Sequence, residues 1–191
     1  MKIVFVALAL STFVTGCAFN PQKVTLAPSP ASSSSTLGSG ITVAVKVNDE
    51  RPKQSLGRRG SGYGPAAEIT SSEDVATVVR NALIKGLEQK GFSASVSPAN
   101  QSIRLTVDLR LLEYSTSMGM WTGGVQIQAA AKATAVNKDA TFEKLYRSDK
   151  EERVVVVPTA ETNEEWINAR LSDLLTQILN DPELLAVLSK K

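Results

Sequence analysis

Ile103-Arg104-Leu105-Thr106-Val107-Asp108-Leu109-Arg110-Leu111 alternates apolar and polar residues without a break. Side chains of a strand point to opposite faces at every step, so this stretch presents an apolar face and a wet one. A strand over residues 103–114 follows. It is expected to place Ile103, Leu105, Val107, Leu109 and Leu111 toward a core and Arg104, Thr106, Asp108 and Arg110 toward water. Toward the C-terminus, residues 125–136 read as another strand, with small residues at 129, 130, 131, 133 and 135. Asn137-Lys138-Asp139-Ala140 turns the chain, and residues 141–157 return as the second arm of a hairpin. Its outer residues mix both charge signs, as a solvated rim does. Toward the N-terminus, residues 41–47 alternate as a shorter strand, and Ser95-Val96 begins another extended piece.

Two amphipathic helices flank these strands. Val75, Val78, Val79, Ala82, Leu83 and Leu87 share one helical face, with a capping-box pattern at Thr70 and Glu73 and a stop at Gly91. Trp166, Ile167, Leu171, Leu174, Leu175 and Ile178 make the second stripe after a similar pattern at Thr162 and Glu165. Asp181-Pro182 starts a short third helix. The expected fold is α+β: one domain over residues 41–191, with a single, mainly antiparallel sheet of about four to five strands. Two main helices cover one face.

The N-terminus is of a different kind. Met1-Lys2 is followed by an apolar run to Val14, too short to span a bilayer and of the length of a secretory signal. Val14-Thr15-Gly16-Cys17 resembles the bacterial lipobox. That resemblance implies removal of residues 1–16, cleavage between Gly16 and Cys17, and acylation of Cys17, the only cysteine in the chain. Residues 17–40, with Pro21, Pro28, Pro30 and a run of serines, read as a lipidated, flexible tether. Position 18 is Ala; the resemblance implies that an Asp there would retain the protein in the inner membrane. The expected placement is therefore the outer membrane, with the domain facing the periplasm.

Composition narrows the chemistry. The chain has 191 residues, a formal net charge of +2 and no histidine. Without His, and with its one Cys assigned to lipid, triads of the Ser-His-Asp or Cys-His type are excluded, as are His-based zinc sites. No cofactor and no metal are expected, and the near-neutral balance argues against a nucleic-acid partner. The segment Gly57-Arg58-Arg59-Gly60-Ser61-Gly62-Tyr63-Gly64-Pro65 reads as a loop with a basic tip. It matches no phosphate-cradling motif. Arg58, Arg59 and Trp121, the last in Met118-Gly119-Met120-Trp121-Thr122-Gly123-Gly124, are the candidate contacts for a partner. A solvated loop, and a Trp folded back over the sheet end, are the plainer alternatives.

The order of these elements resembles the YajG-like family of bacterial lipoproteins. The residues that carry it are Val14 to Cys17, residues 41–47, the helix ending in Lys90-Gly91-Phe92, residues 103–112 and residues 162–179. The resemblance implies no catalytic residue. The leading reading is a non-catalytic binding or scaffolding module, held to the membrane through Cys17. Its partner would be an envelope protein, or peptidoglycan or another anionic polymer. A second reading is a subunit of a larger envelope assembly of flagellar or secretion type, docked through a sheet edge or the Trp121 loop. A third is a cell-wall hydrolase, which would need two carboxyls about 5–10 Å apart. Asp49, Glu50, Asp108 and Glu113 are its candidates, and no spacing pairs them.

Overall fold

The computed structural model describes residues 20–59, 67–96, 101–118 and 123–190. Its centre is the strand that the alternation points to, β6 (Ile103–Met118). On one side β6 pairs along its whole length with antiparallel β7 (Gly123–Asn137), which pairs in turn with β8 (Ala140–Val154). On its other side β6 pairs in parallel with β2 (Thr42–Asp49) and, further along, with β3 (Gly57–Arg59) at Gly57 and Tyr114. β4 (Ala67–Ser71) runs antiparallel to β3, β1 (Gln22–Val24) parallel to β4, and β5 (Ser93–Val96) parallel to β2.

The α+β class stands, but the sheet is mixed and eight-stranded rather than antiparallel with four to five strands. The parallel pairs of β2 and β3 with β5 and β6 have a cause. Helix α1 (Val75–Gln89) lies between β2 and β5, and a helical crossover returns the chain in the same direction. β1 and β3 are three residues each, too short for alternation to show.

The register of β6 also departs from strict alternation. A bulge between Leu109 and Leu111 inserts Arg110, so the core face continues at Leu112 and Tyr114, while Leu111 is only half-buried. An extra residue exchanges the two faces from that point on. At Gly57 a Cβ would overlap the Tyr114 carbonyl, and φ is +134°, so β3 can approach the bulged half of β6 only with glycine there.

α1, α2 (Ala160–Leu179) and α3 (Pro182–Ser189) share one core with the sheet. Ala129, Ala131, Ala133 and Ala135 of β7 are buried and leave room for α2 and α3 to pack closely. The caps sit next to the expected boxes rather than in them. Asp74 accepts from Thr77 N at 2.8 Å, and Thr159 accepts from Thr162 N at 3.2 Å. Asp181 caps α3 as the Asp-Pro pair suggests. It also accepts from Lys144 Nζ at 2.7 Å and Tyr146 Oη at 2.9 Å. Burial pushes the Asp181 carboxyl up, but Lys144, the α3 amides and Tyr146 outweigh it and hold the pKa below the ordinary value.

The largest difference lies in the expected tether. From residue 20 onward it is part of the domain. Val24 and Leu26 are buried, and residues 24–31 run as an extended strap along α2. Alternate strap amides donate to side chains one helical turn apart. Thr25 N reaches Glu164 Oε2, Ala27 N Asn168 Oδ1, Ser29 N Ser172 Oγ and Ala31 N Thr176 Oγ1, at 2.7 to 2.9 Å. Asn168 Nδ2 returns a bond to Thr25 O at 3.0 Å, and Asn180 Nδ2 donates to Ala31 O at 2.9 Å. The two periods match, since four helical residues rise about 6 Å and two extended residues about 6.6 Å. Pro28 and Pro30 fall at the intervening positions, where no donor is needed. The strap then closes the C-terminal end of α1: Ser35 N donates to Gln89 O, Gly38 N to Lys90 O and Gly40 N to Gly91 O, at 2.9 to 3.0 Å. A Pro/Ser-rich stretch cannot order itself, but here a helix supplies the polar partners.

Candidate functional site

Pairing along the β2/β3 edge of β6 is interrupted between Leu109 and Tyr114. Glu50 N donates to Leu109 O at 2.9 Å, Tyr114 N donates to Leu56 O at 2.6 Å, and the chain between loops outward. The gap opens into a cleft of about 810 Å³. Arg51, Lys53 and Arg58 line it together with Glu68 and Glu113, over Leu112 and Tyr114.

Arg51 is the fixed member. Its Nε and Nη2 hold Asp49 in a two-pronged pair at 2.8 and 2.7 Å, and its side chain is only 3% exposed. Hydrogen bonds from Arg51 hold the Asp49 carboxyl below the ordinary carboxylate range, against the opposing effect of burial. Arg51 Nη1 is buried with no hydrogen-bond partner. Lys53 and Arg58 are exposed on the same cleft. The cleft therefore presents Lys53 and Arg58, with two carboxylates and an apolar floor.

Arg58 and Arg59 do not form one basic tip. They are consecutive residues of β3 and so point to opposite faces. Arg59 is 7% exposed and donates to Gln22 Oε1 at 3.2 Å. It belongs to a buried polar chain: Asn163 Nδ2 donates to Gln22 Oε1 at 3.0 Å, Tyr114 Oη to Asn163 Oδ1 at 2.8 Å, and Gln22 Nε2 to Ala160 O at 2.7 Å. This chain pins β1 and the start of the strap to β6 and α2. Burial pushes the Tyr114 hydroxyl up to about 12, with Arg59 pulling the other way. Gly16, Cys17 and Trp121 lie outside the described residues.

Of the four carboxylates considered for hydrolysis, three are in ion pairs. Asp49 is held by Arg51, Glu50 by Arg110 at 2.7 Å, and Asp108 by Lys132 at 3.6 Å, with Asn48 Nδ2 donating to it at 2.7 Å. Glu113 lines the cleft. Among the described residues no group of three or more His, Cys, Asp or Glu could hold a metal ion. Also among them, no helix is long and apolar enough to cross a membrane. Arg51 and Lys53 escape a motif search. The signal for them is the charge cluster Asp49-Glu50-Arg51-Pro52-Lys53 directly after a strand, where a proline forces the chain off the sheet.

Residues 28–189 match the family model of an uncharacterized lipoprotein. The chain belongs to that family of bacterial lipoproteins. The matched span begins inside the strap, which agrees with its place in the domain. No curated protein sequence matches this lipoprotein. Among solved structures, an uncharacterized protein is similar with a TM-score of 0.50 at 9% identity, over 83% of this chain and 97% of the other. A putative neuraminyllactose-binding hemagglutinin homolog from Helicobacter pylori is similar at TM-score 0.48 and 12% identity, over 86% and 97%. A minor lipoprotein from Acinetobacter baumannii follows at 0.46 and 10%, over 74% and 91%. At such identities the likeness of the first concerns the fold alone.

Proposed function

We propose that this lipoprotein is a non-catalytic binding module of the bacterial envelope. Acyl chains on Cys17 hold it to the outer membrane, and the domain faces the periplasm. Within its family we place it among the YajG-like members, on the order of its elements. The cleft beside β3 is the binding surface, and its ligand is an extended, anionic envelope polymer such as peptidoglycan. The observation that carries this reading is the exposure of Lys53 and Arg58 on one cleft, whose wall is held in place by the buried pair of Arg51 with Asp49. A fixed wall spares the cleft the cost of ordering on binding, and the exposed Lys53 and Arg58 adjust to the anion.

Two experiments test it. Fatty-acid labelling of cells should mark the wild type and not Cys17→Ser; label retained by the variant removes the anchor. Co-sedimentation of the purified protein with peptidoglycan sacculi should weaken as salt rises, because screening acts on exposed charge. It should fall further in Lys53→Ala/Arg58→Ala, with an unchanged denaturation midpoint. Sedimentation that ignores both salt and the double substitution would remove the cleft as the binding surface.

A further inference from the structure

Val155, Val156 and Val157 follow the end of β8 and are 86, 81 and 55% exposed. Among the described residues the other exposed large apolar side chains, Leu37, Val96 and Leu145, are isolated in sequence. Three consecutive β-branched residues in water run against the usual economy of a surface. Their position in the sheet offers a reason.

The chain enters the domain at the same end. Gln22 pairs with Ile69 in parallel, so the residues before it lie toward the Ala67 end of β4. Ala67 pairs with Arg59 of β3, and Arg59 lines a small pocket together with Gly124, Val154, Val155 and Pro158. Gln22 Nε2 bonds to Ala160 O, only three residues past Val157. Gln22 comes five positions after Cys17, a span of at most about 18 Å, and Val157 is at most about 11 Å from Ala160. Because the strap is bound to α2, the leash is these few residues rather than the whole of 17–40.

We propose that Val155, Val156 and Val157 make a second, non-covalent contact with the same bilayer that receives the acyl chains of Cys17. The proposal rests on the anchor at Cys17. The short leash holds the valines at the membrane surface, where their effective concentration is high. Arg153, exposed beside them, can keep its charge in the headgroup layer while the valines enter the apolar boundary. Three side chains are too few for a stable protein interface, which needs about 800 Å² from each partner. The contact therefore orients the domain more than it retains it. It turns the β6–β7 end toward the lipid and the β7–β8 turn at Lys138 and Asp139 away.

Acylated Cys17 leaves no free thiol, so a cysteine introduced into the full-length lipoprotein can be labelled alone. Val156→Cys and Asp139→Cys, each carrying an environment-sensitive nitrobenzoxadiazole label, are reconstituted into phosphatidylethanolamine/phosphatidylglycerol vesicles. Both positions are exposed, and unchanged circular dichroism checks the fold. The label at 156 should shift to shorter wavelength and be quenched by spin-labelled lipid, while the label at 139 should stay in water. Protein that floats with the vesicles while its label at 156 remains in water overturns the contact and leaves the anchor intact. Protein that does not float, and whose Cys17 reacts with maleimide, overturns the anchor and the contact with it. Shielding at 156 that grows with protein concentration and ignores the lipid quencher points to a second copy of the chain and overturns the bilayer contact.

Discussion

The strap of residues 24–40 is rich in Ser, Thr, Pro and Gly and is held by its backbone, to α2 over residues 25–31 and to the end of α1 over residues 35–40. Residues 155–157 carry three valines and leave most of their surface in water. The difference shows what fixes a segment to a domain. In the strap every second amide from Thr25 to Ala31 has a side-chain partner on α2, and Val24 and Leu26 add two buried anchors. Backbone donors are obligatory groups, and a segment that satisfies them on a neighbour is held whatever its composition. The valine run has apolar surface to bury but follows the last rung of the β7–β8 ladder, Gly123 with Val154. High β-propensity gives no position without a strand to pair with.

Removing the strap gives the largest expected effect. A protein that begins at residue 41 loses β1, the burial of Val24 and Leu26, and the donors that close α1. Each of the two side chains is worth about 1.5–3 kcal/mol when buried, partly offset by the entropy of ordering the strap. We expect urea denaturation to show a loss of about 3–5 kcal/mol. An unchanged midpoint would show that the strap lies on the domain without stabilising it.

Alkali tests the inner end of the strap, where Tyr114 reaches Gln22 through Asn163. The folded-state pKa of Tyr114 is raised to about 12 from 10.0. The neutral phenol is thus favoured in the fold, so its contribution is complete below pH 10 and is lost as pH rises toward 12. Two pKa units correspond to roughly 3 kcal/mol. Tyr146 is raised as well, by burial first and then by its bond to Asp181. Stability measured from pH 9 to 12 should fall steeply in the wild type and less steeply in Tyr114→Phe. Parallel curves would mean that Tyr114 ionises without breaking the chain.

The smallest effects sharpen the contrast most directly. Asn168→Ala removes an acceptor for Ala27 and a donor for Thr25, at a cost of about 1–3 kcal/mol. Val156→Ser, at an exposed site, should change stability by less than about 0.5 kcal/mol. If the apolar substitution costs more than the polar one, residues 155–157 are packed in solution and the comparison fails.

Much of the architecture is legible in the residues. Alternation over 103–109 finds the central strand, Asn137 to Ala140 finds the hairpin, and Asp181-Pro182 finds the cap of α3. Periodicity fails where its period breaks. The bulge at Arg110 exchanges the faces of β6, and no local residue announces it. The parallel pairs on either side of α1 were legible in principle, since a helix between two strands of one sheet returns the chain in the same direction. The strap was hidden for another reason: its partners, Glu164, Asn168, Ser172 and Thr176, lie at the far end of the chain. Their four-residue spacing on the polar side of α2 is a pattern that hydrophobic periodicity passes over. At the site, Arg58 is placed on the cleft and Arg59 is drawn into the buried chain. One residue of separation in a strand is enough to divide them.

The strap also sets an order of events in time. Its bonds to α2 span 139 to 145 residues of the 191 in the chain. The first part of the domain to be synthesised therefore has to wait for nearly the last, and contacts of such range form slowly. Until α2 has emerged and folded, the amides of residues 25–31 lack their partners. Under the anchor reading this delay serves processing, because the enzymes that cut before Cys17 and acylate it meet a long, free segment. The domain draws in that slack only when its C-terminal helices are complete.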